Sequence, residues 1–253
     1  MILQSQLDYF KEVGIWYTGI PSLDASIHTS SFKRFLSREE EYKRTFLQSK
    51  LNYAFDGYSF FGQEDSLNQG ADDKVFTYVL SDFFEPSKQP QEFWPLLKAQ
   101  VDIIDQIAEL EKELLDKINP QLHSFFENQI GHMLSANYYP PNNLNGLRLT
   151  SHPDVSLITV FPFGMDEQFQ FEMPEGSWQT IGKTDEVICF SGYLLECMTG
   201  IKALNHKVEK DGDQDERFSF AYFSIPRPNQ KLDLEKEKIT SEVYFTRYLS
   251  LFD

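Results

Sequence analysis

Three residues have the types and spacing to share one divalent metal ion. His152 and Asp154 stand two positions apart in Thr150-Ser151-His152-Pro153-Asp154. On a strand, residues i and i+2 point to the same face, so an imidazole and a carboxylate aim at one point. His206 lies 54 positions further on (206 − 152), inside the short apolar run Ala203-Leu204-Asn205-His206-Lys207-Val208. That separation is enough chain for a distant strand to return beside the first. Two imidazoles and one carboxylate on one side of a metal leave three adjacent positions open, the arrangement of non-haem iron(II) sites that activate oxygen. A zinc site could use the same ligand types. Taken singly, His152 could be a surface histidine beside a turn acid, and His206 a satisfied core histidine.

A second constellation follows eleven positions after His206 (217 − 206). In Glu216-Arg217-Phe218-Ser219-Phe220-Ala221-Tyr222-Phe223, Arg217 and Ser219 again share a strand face among aromatic residues. A guanidinium buried there is costly unless it meets an anion. Arginine grips a carboxylate with two parallel hydrogen bonds, and a serine hydroxyl can add a third. The ligand implied is a carboxylate inside the fold; an internal Arg–Glu pair or an exposed edge position would also fit. Upstream, Asn137-Tyr138-Tyr139-Pro140-Pro141 reads as an aromatic strand closed by a Pro-Pro turn.

These residues need strands to position them. From about residue 132, short apolar runs alternate with turn clusters: 147–152, 156–163, 168–173, 186–190, 203–208 and 217–225. This all-β texture suits a sandwich or jelly-roll barrel. Before it the chain reads mainly helical. Residues 2–13 carry a helical stripe ended by Gly14, 15–18 form a short strand, and 37–50 form a helix with Ser37 as N-cap and Glu40 completing a capping box. Residues 51–90 read as irregular structure covering something. The clearest helix is 93–118, its apolar stripe ended by Asn119-Pro120. A helix returns after 240. The expected organisation is one structural unit, with a mainly helical region over 1–131 packing on a barrel core over 132–253.

Composition narrows the partners. Acids outnumber bases 39 to 23, a formal charge of −16, and such a surface repels phosphate backbones; no nucleic acid is expected. No apolar run approaches the roughly 20 residues that span a bilayer, and no leader-like segment opens the sequence. Cys189 and Cys197 suit two buried, reduced thiols. A cytoplasmic monomer acting on a small molecule is expected.

Taken together, the ordered segments resemble the isopenicillin N synthase-like branch of the 2-oxoglutarate/Fe(II) dioxygenases. The order is Asn137-Tyr138-Tyr139-Pro140-Pro141, His152-x-Asp154, His206, then Arg217-x-Ser219. Gly176-Ser177-Trp178 resembles the family's Gly-x-Trp hairpin, and Ser224-Ile225-Pro226 its strand ending in Pro. The strong match covers 137–228; a weaker one runs through Phe10–Tyr17 and Phe35–Lys43. The resemblance implies a double-stranded β-helix, or jelly roll, mainly β with flanking helices. It implies Fe(II) on His152, Asp154 and His206, and O2 as oxidant. It implies 2-oxoglutarate as co-substrate, chelating iron through its 1-carboxylate and 2-oxo group. The far carboxylate would sit on Arg217 and Ser219, with Tyr139 and Asn137 nearby. No catalytic residue beyond the metal site is implied.

The sequence departs from the family in three places. The family's opening Pro-x-Ile-Asp strand has no counterpart, Lys207 replaces the Arg of its His-Arg-Val, and the stretch after Pro228 is short. The substrate is not readable; Arg148, Phe161, Phe163 and Phe223 are candidate wall residues, Arg148 by strand alternation from His152. Two alternatives stay open. One is a 2-oxoglutarate-independent Fe(II) oxidase of the isopenicillin N synthase type. The other is a non-catalytic jelly-roll binding protein with a vestigial site.

Overall fold

The long amphipathic stretch forms as its periodicity requires. In the computed structural model, helix α4 (Trp94–Ile118) starts with Pro95 in its first turn, where a missing N–H costs nothing, and stops at Asn119 before Pro120. It buries Leu96, Ile103, Ile107, Leu114 and Leu115 along one stripe. The structure describes residues 2–48, 56–63, 73–141, 146–210, 216–234 and 236–252; the expected cover over 51–90 therefore lies partly outside the described residues.

In chain order, α1 (Gln4–Val13), β1 (Ile15–Pro21), α2 (Ser26–Leu36), α3 (Glu40–Arg44), β2 (Gly57–Ser59) and β3 (Phe76–Ser81) precede α4. After it come α5 (Gln121–Gln129), β4 (Ile130–Tyr139), β5 (Gly146–His152), β6 (Ile158–Phe161), β7 (Phe169–Glu172), β8 (Trp178–Thr180) and β9 (Glu186–Ser191). Then follow α6 (Tyr193–Thr199), β10 (His206–Lys210), β11 (Arg217–Pro226), β12 (Lys231–Asp233), β13 (Lys238–Thr240) and α7 (Ser241–Leu249).

The strands form a seven-stranded sheet, β1-β9-β6-β11-β4-β3-β2, and a four-stranded sheet, β5-β10-β7-β8, all paired antiparallel, with β12 and β13 a separate hairpin. This is the double-stranded β-helix with flanking helices. Alternation on β11 shows the layers. Phe218, Phe220 and Tyr222 join the cluster of Phe32, Phe93 and Leu96 beneath the helices. Ala221 joins Tyr139, Phe161, Phe169, Phe171, Phe190 and Val208 inside the barrel.

Residues 1–131 give more than helices, because β1, β2 and β3 are strands of the larger sheet. The helix expected over 37–50 is short, α3 alone within the described residues, and Ser37 is not its N-cap. Ser37 closes α2 instead, its Oγ donating to the Arg34 carbonyl at 2.8 Å. Helix α2 escapes the sequence reading because its buried face mixes His28 and Ser31 with Phe32 and Phe35, so the apolar stripe is interrupted. Cys189 is buried as expected, whereas Cys197 is only half-buried; neither is in a disulfide. No helix among the described residues is long and apolar enough to cross a membrane.

Candidate metal centre

His152 ends β5 and His206 opens β10, and the register pairs these two residues directly across the smaller sheet. Each ring is fixed through one nitrogen. His152 Nδ1 hydrogen-bonds the Thr150 carbonyl at 2.7 Å and His206 Nδ1 the Leu204 carbonyl at 3.1 Å. A carbonyl only accepts, so both Nδ1 atoms carry the proton and both Nε2 lone pairs are free for a metal. Asp154 completes the group: its Oδ1 lies 3.9 Å from His152 Nε2 and 3.7 Å from His206 Nε2. These separations are too long for hydrogen bonds, and Asp154 Oδ2 is buried without a partner. The three ligand atoms lie within 4.8 Å of one another, the one such group among the described residues. A buried carboxylate with an orphaned oxygen, facing two imidazole lone pairs, fits a divalent cation that would satisfy all three.

Charge agrees with geometry. Burial pushes the Asp154 carboxyl up to about 6 and the His206 imidazole down to about 4. Burial also lowers His152, helped by the neighbouring His206. The imidazoles are therefore neutral near pH 7, the form in which they can bind a metal. Thr150 is itself held, its N–H and hydroxyl donating to the buried Asp73 at 3.0 and 2.9 Å. The support of His152 thus reaches back into the N-terminal half.

Arg217 sits one aromatic ring away from this point. Phe169 stacks on His206 at 5.6 Å between centroids, and the Arg217 guanidinium lies 5.2 Å from the Phe169 centroid and 4.6 Å from that of Tyr139. Arg217 and Ser219 face Tyr139 and Asn137 across the β4–β11 ladder. Asn137 Oδ1 accepts from Thr77 and Ser135, at 3.0 and 3.3 Å. Burial pushes the Tyr139 phenol up to about 12, against the opposing pull of Arg217. Arg217 is 6% exposed; its Nε donates to Asp166, while its Nη1 is buried without a partner. One edge of the guanidinium is therefore engaged and a buried donor remains, which fits a carboxylate.

The suggested wall residues separate. Arg148 is fully buried on the same β5 face as Thr150 and His152. Phe161 packs within the barrel against Phe190 and Phe169, at 4.9 and 5.3 Å. Phe223 is half-buried on the Arg217 face of β11. Phe163 is a correction: it lies outside the barrel against His28 and Phe220, at 4.7 and 5.8 Å. Strand β6 ends at Phe161, so alternation cannot be carried two residues further.

Asp166 and Phe169 escaped sequence reasoning. Asp166 meets Arg217 across 51 positions from a loop, and only folding reveals it. Phe169 had a weak signal as an apolar residue in a candidate strand.

Residues 130–226 match the family model described as the 2OG-Fe(II) oxygenase superfamily. No curated protein matches. Among solved structures, the chain resembles a full-length Neurospora crassa protein in complex with alpha-KG (21% identity, TM-score 0.74, 97% of this chain and 89% of that one). It also resembles JOX2 in complex with 2OG, Fe and JA (19%, TM-score 0.76, 96% and 80%). A third is the 2-oxoglutarate complex of Arabidopsis thaliana DAO1, dioxygenase for auxin oxidation 1 (14%, TM-score 0.71, 94% and 93%). At these identities the structures speak for the fold, and the family model speaks for the family. Residues 130–226, which carry all three candidate metal ligands and Arg217, match the 2OG-Fe(II) oxygenase superfamily. A 2-oxoglutarate- and iron-dependent oxygenase is the activity to which this match points.

Proposed function

We propose that iron(II) is held by His152, Asp154 and His206, and that 2-oxoglutarate turnover there drives hydroxylation or desaturation of a small organic molecule. The observation that carries this is the convergence of two proton-free Nε2 atoms on a buried carboxylate with an unpartnered oxygen. Iron and 2-oxoglutarate, when bound, supply the oxidising chemistry, with succinate and CO2 as products.

The chain's own residues bind and orient. Arg217 takes the far carboxylate of 2-oxoglutarate through its unpartnered Nη1, with Ser219 opposite Asn137 and Tyr139 beside it. Phe169, Phe190 and Phe161 keep water from the inner face of the iron site. Phe223 and Arg148 are the wall residues proposed to meet substrate. The Neurospora crassa protein has been solved with thymine and JOX2 with JA, both small organic molecules, in keeping with a substrate of that class. The motif order from Asn137 to Ser219 supports placement in the isopenicillin N synthase-like branch. Two unpaired thiols suit a reducing compartment such as the cytoplasm. We read residues 1–131 as serving the barrel rather than a separate activity.

The test is an anaerobic titration of the Fe(II) protein with 2-oxoglutarate. A visible charge-transfer band, followed by succinate release once O2 is admitted, is the expected result. Iron binding with no band at millimolar 2-oxoglutarate would sink the co-substrate assignment and leave the oxidase reading in its place.

A further inference from the structure

Asp154 must turn its carboxylate onto two imidazoles just where its strand has ended, with the Thr159 hydroxyl as a side-chain partner. Pro153 offers no N–H, and Asp154 Oδ2 has no partner. A contact at the carboxylate acts beyond the Cα–Cβ bond, whose direction the backbone sets. Three successive carbonyls, those of Pro153, Asp154 and Val155, are each taken by a donor from outside the loop. The Tyr248 hydroxyl donates to Pro153 O at 2.8 Å, the Tyr193 N–H to Asp154 O at 2.7 Å and the Tyr244 hydroxyl to Val155 O at 2.5 Å.

The Pro153 and Asp154 carbonyls belong to the two peptide planes that flank the Asp154 α-carbon. Pinning both planes fixes φ and ψ of Asp154 together. The three donors also support one another. The Tyr193 ring lies 6.1 Å from that of Tyr244, near-parallel, and 6.0 Å from that of Tyr248. Tyr244 and Tyr248 are one turn apart on α7, so a single face of this helix carries both hydroxyls.

We propose that Tyr244 and Tyr248 are positioning residues of the metal centre, α7 acting as a brace that aims Asp154 at the ion. The inference rests on the reading of His152, Asp154 and His206 as metal ligands. Outer-shell contacts that orient a ligand are typically worth about 10- to 100-fold in metal affinity.

The experiment titrates metal-free protein with Co(II), reading both the dissociation constant and the visible d–d bands, which report coordination geometry. Tyr244→Phe and Tyr248→Phe each remove one hydroxyl and keep the ring. Tyr222→Phe is the control: it removes an equally buried hydroxyl, bonded to His28 at 2.7 Å on the outer face of the larger sheet. Both α7 variants are expected to bind Co(II) about tenfold more weakly, with altered bands, and the double variant more weakly still. The control is expected to lose melting temperature while keeping its affinity within about twofold. Affinities and bands equal to wild type in the α7 variants, with melting temperatures lowered as in the control, would overturn the brace and leave the ligands standing. If Tyr244→Phe does not fold, Tyr248→Phe, nearer the end of the helix, decides. Wild type that takes up no Co(II), or His206→Ala that takes up as much as wild type, would overturn the metal reading itself.

Discussion

At the scale of single residues, two kinds of loss can be told apart. His206→Ala and His152→Ala remove one of three protein ligands, and the remaining two cannot keep the geometry; iron stoichiometry should fall to near zero, and to nearly that in Asp154→Ala. Full stoichiometry in His206→Ala, measured by metal analysis after desalting, would contradict the triad. Arg217 acts on the co-substrate instead. Its loss would leave a partly desolvated carboxylate unpaired, at roughly 3–5 kcal/mol, so Arg217→Ala should weaken 2-oxoglutarate by about two to three powers of ten. Arg217→Lys should recover part, because a point charge replaces the fork imperfectly and cannot also keep Asp166 in the same geometry. Ser219→Ala should cost less, about 1.5–3 kcal/mol for one hydrogen bond to a charged group. The charge-transfer band titrated for each variant measures all three, with iron content unchanged.

At the scale of elements, the loop 153–157 depends on the turn into α6. The N–H groups of Gly192, Tyr193 and Leu194 donate to Leu157, Asp154 and Ser156 at 3.1, 2.7 and 3.0 Å. A Cβ built on Gly192 would meet Ser156 O at 2.0 Å, a backbone atom that cannot step aside alone. Only glycine allows β9 and the metal-ligand loop to approach so closely. Gly192→Ala should therefore cost about 1–3 kcal/mol, as overpacking does, and should weaken Co(II) binding together with melting temperature. An unchanged melting temperature would show that the loop relaxes freely. Much of this support was hidden in the sequence: β5 and β11 showed their alternation, but nothing near Asp154 announced α6 or α7 as its neighbours.

At the scale of the whole molecule, the core stands without the metal. The larger cluster lies between the seven-stranded sheet and the helices, away from His152 and His206, so metal-free protein should be folded by circular dichroism. Saturating metal should then raise stability by mass action, about 2.7 kcal/mol at a hundredfold excess over the dissociation constant. The helix layer also carries a pH dependence. His28 is buried, bonded to Tyr222, and burial pushes its imidazole down from 6.5 to about 4. Below the unfolded value the unfolded chain takes up a proton that the folded state refuses, so stability falls as pH drops from 6.5 towards 4. The full effect is about 3 kcal/mol for this one group. In metal-free protein the His28→Gln variant should show a shallower fall over that window. Comparing it with wild type cancels the contributions of His152 and His206, which have the same sign. Parallel curves would mean that His28 is not buried neutral.

The sequence by itself determined what local periodicity can carry. A strand repeats every two residues whatever surrounds it, so Arg148 and His152, or Arg217 and Ser219, share a face before any partner is known, whereas the same argument for His152 and Asp154 stops where β5 ends at His152. The stripe of α4 and its stop at Asn119-Pro120 were legible for the same reason, and the order of motifs pointed to the family. Tertiary structure decided what lies far apart along the chain. Opposing His206 to His152 required the β5–β10 register, Asp166 reached Arg217 across 51 positions, and Tyr244 and Tyr248 reached the Asp154 loop across 89 and 95. It also turned Phe163 to the outside, where β6 stops and the alternation ends with it. Such contacts follow from how strands close into a barrel, a global property that no window of sequence contains.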